Sequence, residues 1–271
     1  SANFNVLYEN IQILEDKKTI GEIDFIIENQ ITKQRVHLEL AYKFYLFDPN
    51  ISSEHLRNWI GPNRNDSLKN KLEKLKEKQF PLLFNASAKS AFKTLEINEV
   101  SQALCLLASL FIPYESKHSF SPSYKKAIQG YYLDFETFII LDDQSKTYCI
   151  PSKKEWGMNP SENTNWNDFA GVEKQIRKSI REKQSLLYWQ KNNDLYLECF
   201  LVWWWGNLTS YTSLETLLIL NKELKEDNYS FCWANAKYKG LVFLFNWPNL
   251  HLRRLVSNDS KKSFLILNDS K

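Results

Sequence analysis

The sequence predicts an α/β protein, strictly of the α+β type, because segments typical of strands are interspersed with segments typical of amphipathic helices. Strand-like segments rich in Ile, Phe and Tyr occupy residues 20–28 and 35–46. Apolar residues at helical spacing follow at 66–79 and again at 170–184. We therefore expect a mixed sheet flanked by helices, with a further β-containing region towards the C-terminus.

The composition excludes several classes of protein. Of the 271 residues, 43% are hydrophobic and 25% are charged, which is ordinary for a globular protein and argues against disorder or a fibrous repeat. The sequence has no apolar run of about 18 residues, so it predicts no membrane-spanning helix and no membrane partner. The formal net charge is only +3 and there are seven Gly, so neither a histone-like protein nor a glycine-rich phosphate loop is expected.

The cysteines and the N-terminus bear on the cellular compartment. Four cysteines lie far apart, without the spacing of a zinc finger, at Cys105, Cys149, Cys199 and Cys232. We interpret them as reduced, mostly buried thiols, and with no recognisable signal peptide this favours a cytoplasmic protein. The chain begins with Ser1-Ala2 rather than Met, which we interpret as a cloning remnant in place of part of the native N-terminus.

The N-terminal third predicts extended structure. Residues 6–14 are apolar and fit either a strand or the end of a helix, and a charged turn follows at 15–18. The segment 20–28 is predicted to be a strand. We expect 35–46 to pair with it as a hairpin, because the turn at 29–33 joins the two.

The first predicted helix begins after Asp66, a favourable N-cap, and runs to about Gln79. Its apolar stripe is formed by Leu68, Leu72 and Leu75. The remaining predicted elements are a strand at 81–84, a buried helix at 98–111, a hairpin of 131–140 with 146–150, a helix at 170–184 and strands at 195–204, 240–247 and 263–267. The loop at 151–167 is the predicted boundary between a domain of residues 1–150 and a C-terminal region of 151–271.

Acidic and basic side chains recur on the first two predicted strands. Because side chains of a strand alternate between faces, Glu22 shares a face with Asp24, and Glu39 shares a face with Lys43. A hairpin can bring Asp24 and Glu39 together, and converging carboxylates are typical of sites that bind a divalent cation. Such a site, with a lysine to stabilise negative charge, favours hydrolysis of a phosphodiester. The alternative is a solvated strand face with a weak surface pair. We interpret His37 as a core or partner-bonded histidine on the opposite face from Glu39.

These two strands resemble the nuclease core of the PD-(D/E)XK, or restriction-endonuclease-like, superfamily, in which an Asp ends one strand and Glu-x-Lys lies in the next. The segments that carry the resemblance are GEIDF at 21–25, HLELAYKFYL at 37–46 and WIGP at 59–62. The residues of these three segments are similar to those of an uncharacterised bacterial family placed in that superfamily. The resemblance extends from residue 9 to about residue 160.

The resemblance implies a restriction-endonuclease-like core and a metal-dependent nuclease. Asp24 and Glu39 match the two metal-binding carboxylates, with Mg²⁺ or Mn²⁺ as the expected cofactor. Glu22, or Glu9 further upstream, matches the additional acid that superfamily members supply.

The sequence departs from the superfamily pattern at one position. Glu-x-Lys would place a lysine at position 41, which is Ala41 here, and Lys43 lies two residues further along the same strand face. Lys43 is therefore the expected catalytic lysine. The alternative function is that of a catalytically inactive nuclease fold that binds nucleic acid or protein.

Two basic segments are candidate contacts for a phosphate backbone. Residues 57–93 contain nine Lys or Arg against three acids, and residues 174–191 contain six against one. Lysines and arginines on a helix bind phosphates without sequence preference and with strong dependence on salt. The alternative is a solvated helix face. Within these segments we expect DNA or RNA contacts from Arg64, Lys69, Lys71, Lys178 and Arg181.

Overall fold

The computed structural model of the chain describes residues 3–92, 94–114, 116–205, 230–233 and 241–246. The secondary structure of these residues is mixed α/β, as the sequence predicts. The predicted strand at 263–267 lies outside the described residues. Within the described part of the chain, no helix is both long and apolar enough to cross a membrane.

The bounds of the elements are as follows. The strands are β1 (Phe4–Glu15), β2 (Lys18–Asn29), β3 (Arg35–Phe47), β4 (Trp59–Ile60), β5 (Val100–Pro113), β6 (Ile128–Leu133), β7 (Lys146–Cys149), β8 (Leu186–Asn192), β9 (Leu195–Leu201), β10 (Ser230–Trp233) and β11 (Leu241–Asn246). The α-helices are α1 (Leu68–Lys74), α2 (Phe80–Leu82), α3 (Ala86–Ala91), α4 (Pro122–Ala127), α5 (Phe135–Leu141) and α6 (Phe169–Arg181). A π-helical turn, Leu75–Gln79, joins α1 to α2. Short 3₁₀ turns occupy His55–Asn58, Ile97–Glu99 and Pro160–Glu162.

The chain divides into two compact units, each assembled from separated stretches. The first unit comprises the described residues within 1–43, 69–108 and 219–271, and the second comprises those within 44–68 and 109–218. Strands β3 and β5 therefore contribute residues to both units. The proposed domain boundary at residue 150 stays a prediction.

The first unit contains strands in the order β1-β2-β3-β5-β11-β10, and the pairs β1–β2, β2–β3, β5–β11 and β11–β10 are antiparallel. Strands β1 and β2 form a hairpin, so the apolar segment 6–14 is a strand. The two turn residues, Asp16 and Lys17, both have positive φ angles of 47° and 64°, as a tight two-residue hairpin turn requires. Strands β2 and β3 are antiparallel, which confirms the predicted pairing of 20–28 with 35–46.

Two predictions for the first unit are wrong. The segment 98–111 is strand β5 and not a buried helix. Most of its residues are buried, because β5 lies between other strands, and a strand covered on both faces shows a continuous apolar run instead of alternation. The segment 81–84 is not a strand, since Pro81 and Leu82 belong to α2.

The helical segment 68–83 packs closely on β2. Leu82 and Leu83 are buried in a core with Ile13 and Ile23. A Cβ atom at Gly21 would lie only 2.6 Å from Leu82 Cδ2, so a larger residue there would require the Leu82 side chain to move. Glycine at this position therefore leaves room for Leu82 against β2, three residues before Asp24.

The second unit pairs strands in the order β5-β6-β9-β8-β7. Strands β5, β6 and β9 are parallel neighbours, whereas β8 is antiparallel to both β9 and β7. The predicted hairpin of 131–140 with 146–150 is wrong. Asp134 Oδ1 accepts a hydrogen bond from Thr137 N at 2.7 Å and caps helix α5, while β7 pairs with β8. The predicted helix at 170–184 is confirmed as α6.

Candidate active site

The candidate site lies where β2 and β3 separate. The ladder between these strands reaches the pair Phe25–Leu38, and continuing the register by one residue places Asp24 across from Glu39. Beyond the ladder, Asp24 Oδ2 accepts a hydrogen bond from the backbone N–H of Leu40 at 2.9 Å. Residues opposite each other in an antiparallel pair share a face. The structure therefore brings both carboxylates to one side of the sheet.

Glu39 is held by a series of hydrogen bonds. His37 Nε2 lies 2.7 Å from Glu39 Oε1, and the exposed fractions of the two residues are 0% and 3%. His37 Nδ1 lies 3.1 Å from Gln102 Nε2, which also donates to the carbonyl oxygen of Phe80 at 2.6 Å. The interpretation of His37 as facing away from Glu39 is wrong, because residues two apart on a strand share a face.

The environment of Asp24 disfavours its charged form. Burial raises the pKa of Asp24, and the negative charge of Glu39 raises it further. The hydrogen bond from Leu40 N–H and the positive charge of Lys71 act in the opposite direction. The interaction with Glu39 indicates that the two carboxylates are close enough to repel each other, as a site for a cation requires.

A lysine from helix α1 joins the carboxylates. Lys71 is partly buried, and burial lowers its pKa. The like charge of Lys43 lowers the Lys71 pKa further, whereas Glu39 and Asp24 raise it. Two lysines, one from α1 and one from β3, are therefore within electrostatic reach of each other, and Lys71 is within reach of both acids.

Two further acids from the sequence prediction lie on β1 and β2. Glu9 is exposed on β1, where it pairs with Phe25 in the register. Glu22 is partly buried on β2 opposite Gln12. The acid whose charge raises the pKa of Asp24 is Glu39, and the role of Glu9 or Glu22 as an additional metal ligand stays a prediction.

The oxygen atoms at the site fit a hard divalent cation. Among the described residues, no group of three or more His, Cys, Asp or Glu side chains is arranged to hold a metal ion, so a cation here would have only two carboxylates from the protein. Asp24 Oδ2 and Glu39 Oε1 are bound by donors, which leaves Asp24 Oδ1 and Glu39 Oε2 for a ligand. Mg²⁺ is commonly held by one or two carboxylates together with waters and substrate phosphates. Zinc sites require more protein ligands, so the donor set suits Mg²⁺ or Mn²⁺ better.

The family model described as Domain of unknown function (DUF1853) matches residues 1–193. The chain belongs to the DUF1853 family. No curated protein matches the chain, and no solved structure matches it. The DUF1853 match includes Asp24, Glu39, Lys71 and the whole of α6, so the candidate site and the second basic helix both lie in the family region.

Arg64 of the DUF1853 region is engaged within the second unit. Its Nη1 lies 3.2 Å from Asp48 Oδ2, and its guanidinium carbon lies 4.6 Å from the ring centroid of Trp204. Its φ angle is 61°, in the left-handed region. The residue predicted to contact nucleic acid therefore has two structural partners.

The other predicted basic contacts are placed as follows. Lys69 Nζ lies 3.9 Å from Glu73 Oε1 on α1, and Lys178 Nζ lies 3.8 Å from Glu182 Oε1 beside α6. Arg181 lines a groove of about 570 Å³ in the second unit. The groove is also lined by Phe135, Lys174, Arg177 and the acid Glu173. The guanidinium carbon of Arg177 lies 4.9 Å from the centroid of the Phe135 ring.

Among the residues around Asp24 and Glu39, sequence reasoning gave Lys71 and His37 other roles and missed Gln102. Lys71 was predicted to contact nucleic acid, because nothing in a lysine-rich helix distinguishes the lysine whose pKa the acids affect. His37 could have been placed correctly by strand alternation alone. Gln102 gave no signal, because the strand that carries it was predicted to be a helix.

Proposed function

We propose that this DUF1853 protein is a metal-dependent phosphodiesterase that acts on DNA or RNA. The observation that carries the proposal is the placement of Asp24 and Glu39 on one face where β2 and β3 separate, with the charge of Lys71 acting on the pKa of Asp24. The raised pKa of Asp24 and the lowered pKa of Lys71 support it, because perturbed groups of opposite charge cluster at functional sites. The resemblance of these strands to the PD-(D/E)XK nucleases gives the reaction class.

The proposed roles follow from the atoms that remain for a ligand. Asp24 Oδ1 and Glu39 Oε2 would hold Mg²⁺ or Mn²⁺, which when bound supplies Lewis-acid stabilisation of a phosphate oxygen. In hydrolysis a water oxygen forms a new bond to phosphorus and loses a proton, while the bond to the leaving oxygen breaks and that oxygen takes up a proton from water. Negative charge grows on the phosphate oxygens during this step. The partly buried ammonium of Lys71 stabilises that charge more strongly than an exposed lysine would.

Lys43 has a smaller role in this proposal than the sequence pattern suggests. It acts on the pKa of Lys71, and we assign to it the binding of a substrate phosphate beside Lys71. We assign to Lys71 the role that the resemblance gives to a lysine at position 41.

The nucleic-acid backbone is proposed to contact the exposed basic side chains. The exposed candidates are Lys178 and Arg181 on α6, and Lys69 on α1 is a partly buried one, since Arg64 is engaged by Asp48 and Trp204. Contacts of this kind predict affinity that falls as the salt concentration rises.

One observation favours the inactive nuclease fold as a second candidate. The negative charges of Asp24 and Glu39 are matched in number by the positive charges of Lys71 and Lys43, so the site is balanced without a metal ion. A site of this kind can bind a phosphate without cleaving it. The second candidate therefore predicts binding of nucleic acid with no cleavage.

The test is a cleavage assay on labelled single- and double-stranded DNA and RNA, with Mg²⁺, with Mn²⁺ and with EDTA. We expect metal-dependent cleavage that falls about 100-fold or more in Asp24→Asn, Glu39→Gln and Lys71→Met. Glu96→Gln, which alters an exposed acid of the first unit, is the matched control and should retain full activity. Cleavage that persists in EDTA, or in both acid variants, would overturn the proposal. Salt-sensitive binding by an inactive wild type would select the second candidate.

A further inference from the structure

We infer that Gln102 and His37 are positioning residues that fix the direction of the Glu39 carboxylate. The inference rests on the proposed function, because it concerns the same site. Its basis is the series of hydrogen bonds from the Phe80 carbonyl through the partly buried Gln102 and the buried His37 to Glu39, with lengths of 2.6, 3.1 and 2.7 Å.

The three hydrogen bonds allow only one assignment of donors and acceptors. Gln102 Nε2 lies 2.6 Å from the Phe80 carbonyl oxygen, so this atom is the amide nitrogen, because an amide oxygen would place two acceptors in contact. The second N–H of that amide points to His37 Nδ1, which must then accept. His37 carries its proton on Nε2 and donates it to Glu39 Oε1.

The series of hydrogen bonds begins at the helical segment, with the carbonyl of Phe80. At the end of α2 the N–H of Phe84 donates to the carbonyl of Pro81, whereas the carbonyl of Phe80 accepts from Gln102. A carbonyl near the end of a helix commonly needs a partner from outside the helix. Gln102 provides that partner from β5, and so couples the position of the helical segment to the ring of His37 on β3.

The consequence for Glu39 is a fixed orientation. One of its oxygens is bound to His37 in a region where Glu39 is 3% exposed, so bulk water hardly competes for that hydrogen bond. The other oxygen, Oε2, is then presented in one direction. Partners of this kind behind a metal-binding side chain commonly change metal affinity 10- to 100-fold when they are removed.

The first test reads the tautomer of His37 in the metal-free protein by ¹⁵N NMR of the histidine rings. We expect Nε2 to be protonated and Nδ1 to be an unprotonated acceptor. A proton on Nδ1 in the neutral ring would overturn the inference, whether or not the protein cleaves nucleic acid.

The second test measures Mn²⁺ affinity by EPR for variants of the chain of hydrogen bonds. We expect Gln102→Leu and His37→Phe to weaken Mn²⁺ binding about tenfold or more. His37→Gln should recover part of the loss, because its amide can still donate to Glu39. The matched control is Gln79→Leu, which removes another partly buried amide that donates only to a backbone carbonyl, that of Glu22.

The outcomes separate this inference from the proposed function. If Gln102→Leu and Gln79→Leu lose similar thermal stability but only Gln102→Leu loses Mn²⁺ affinity, the positioning role is supported. Mn²⁺ binding that is unchanged in both Gln102→Leu and His37→Phe, in a protein whose wild type cleaves nucleic acid, would overturn the inference alone. A wild type that binds no Mn²⁺ would overturn the proposed function and the positioning role with it.

Discussion

The side chain of Asp24 accepts a hydrogen bond from the backbone N–H of Leu40 at 2.9 Å, just beyond the end of the β2–β3 ladder. The carboxylate therefore accepts the hydrogen bond that a backbone carbonyl of the neighbouring strand accepts elsewhere in a sheet. The bond fixes one oxygen of Asp24 on the face that carries Glu39. Because Asn can accept the same hydrogen bond, a mutation of Asp24 to Asn separates the effect of the carboxylate charge from the effect of the hydrogen bond.

Asp24→Asn is expected to stabilise the protein while it abolishes the proposed activity. Burial and then the charge of Glu39 raise the pKa of Asp24, so the ionised form reduces stability above the folded-state pKa, and the cost disappears as the pH falls below that value. Asn keeps an oxygen for Leu40 N–H and removes the charge. We expect thermal unfolding at pH 7 to shift upwards by about 1–3 °C.

Asp143→Asn is the control for this shift. Hydrogen bonds from Ser145 and Lys146 lower the pKa of Asp143 to about 2, so its charged form is favoured and its neutralisation should not raise the melting temperature. A melting temperature of Asp24→Asn below that of the wild type would contradict the electrostatic account.

Lys71→Met is expected to raise the pKa of Asp24. The positive charge of Lys71 lowers that pKa in the wild type, and its removal leaves the repulsion by Glu39 less opposed. The measurement is a ¹³C NMR titration of the Asp24 carboxyl group. Lys74→Met is the matched control, since Lys74 is exposed on the same helix and acts on Lys71. Equal Asp24 titration curves for Lys71→Met and the wild type would exclude Lys71 from the site.

The hairpin that carries the acids could be predicted from sequence, because its signals are local. Turn residues at 15–18 and 29–33 separate segments rich in β-branched and aromatic residues, and alternation places Asp24 and Glu39 on definite faces. The same rule places His37 on the face of Glu39, so the sequence contains the information that determines the face of His37.

The remainder of the site depends on contacts between distant parts of the chain. Strand β5 carries Gln102, and its nearly continuous apolar run cannot be distinguished from a buried helix by periodicity. Pro81 disfavours a helix locally, yet it follows a π-helical turn that ends in a short α-helix. The approach of Lys71 to the acids depends on how α1 packs on the sheet, and no pattern within the helix records that packing.

Arg64→Asn is expected to destabilise the protein by about 1–2 kcal/mol, because it removes the ion pair with Asp48 and the stacking on Trp204. Asn is the chosen replacement because it tolerates the left-handed backbone at this position. Urea unfolding gives the free energy of unfolding. The matched control is Lys33→Asn, another basic residue with positive φ, at 59°, whose partner Glu28 is 3.8 Å away and whose side chain is 69% exposed.

The contrast between the two variants decides the role of Arg64. We expect Lys33→Asn to change stability by less than about 0.5 kcal/mol. If Arg64→Asn also leaves stability unchanged but weakens binding of nucleic acid, the contact predicted from the sequence would be preferred over the structural role.

Acid should destabilise the second unit through a buried histidine. His55 is 2% exposed, and neither of its ring nitrogens has a hydrogen-bond partner among the described residues. It packs against Phe47 and Tyr124, with ring centroids 5.2 and 5.1 Å away. Burial, and then the charge of His118, lowers the pKa of His55 from 6.5 to about 3. The neutral ring is therefore the form that fits the folded protein.

The sign of the effect follows from proton binding. Between pH 6.5 and about 3 the unfolded chain binds a proton at His55 and the folded protein does not, so stability falls as the pH falls. One such group changes the folding equilibrium by up to about tenfold per pH unit in that window. Above pH 6.5 His55 contributes no dependence, since it is neutral in both states.

His55→Phe should remove this dependence and keep the aromatic packing. We expect urea unfolding measured at pH 7, 6, 5 and 4 to give a shallower loss of stability for His55→Phe than for the wild type, because the carboxyl groups titrate equally in both proteins. Phe111→Leu, which alters a buried aromatic residue of the second unit packed against Phe44 and Phe200, should lower stability by the same amount at every pH. Parallel pH profiles for His55→Phe and the wild type would mean that His55 is protonated in the folded protein or exposed to water, and that the buried neutral ring is not the folded form.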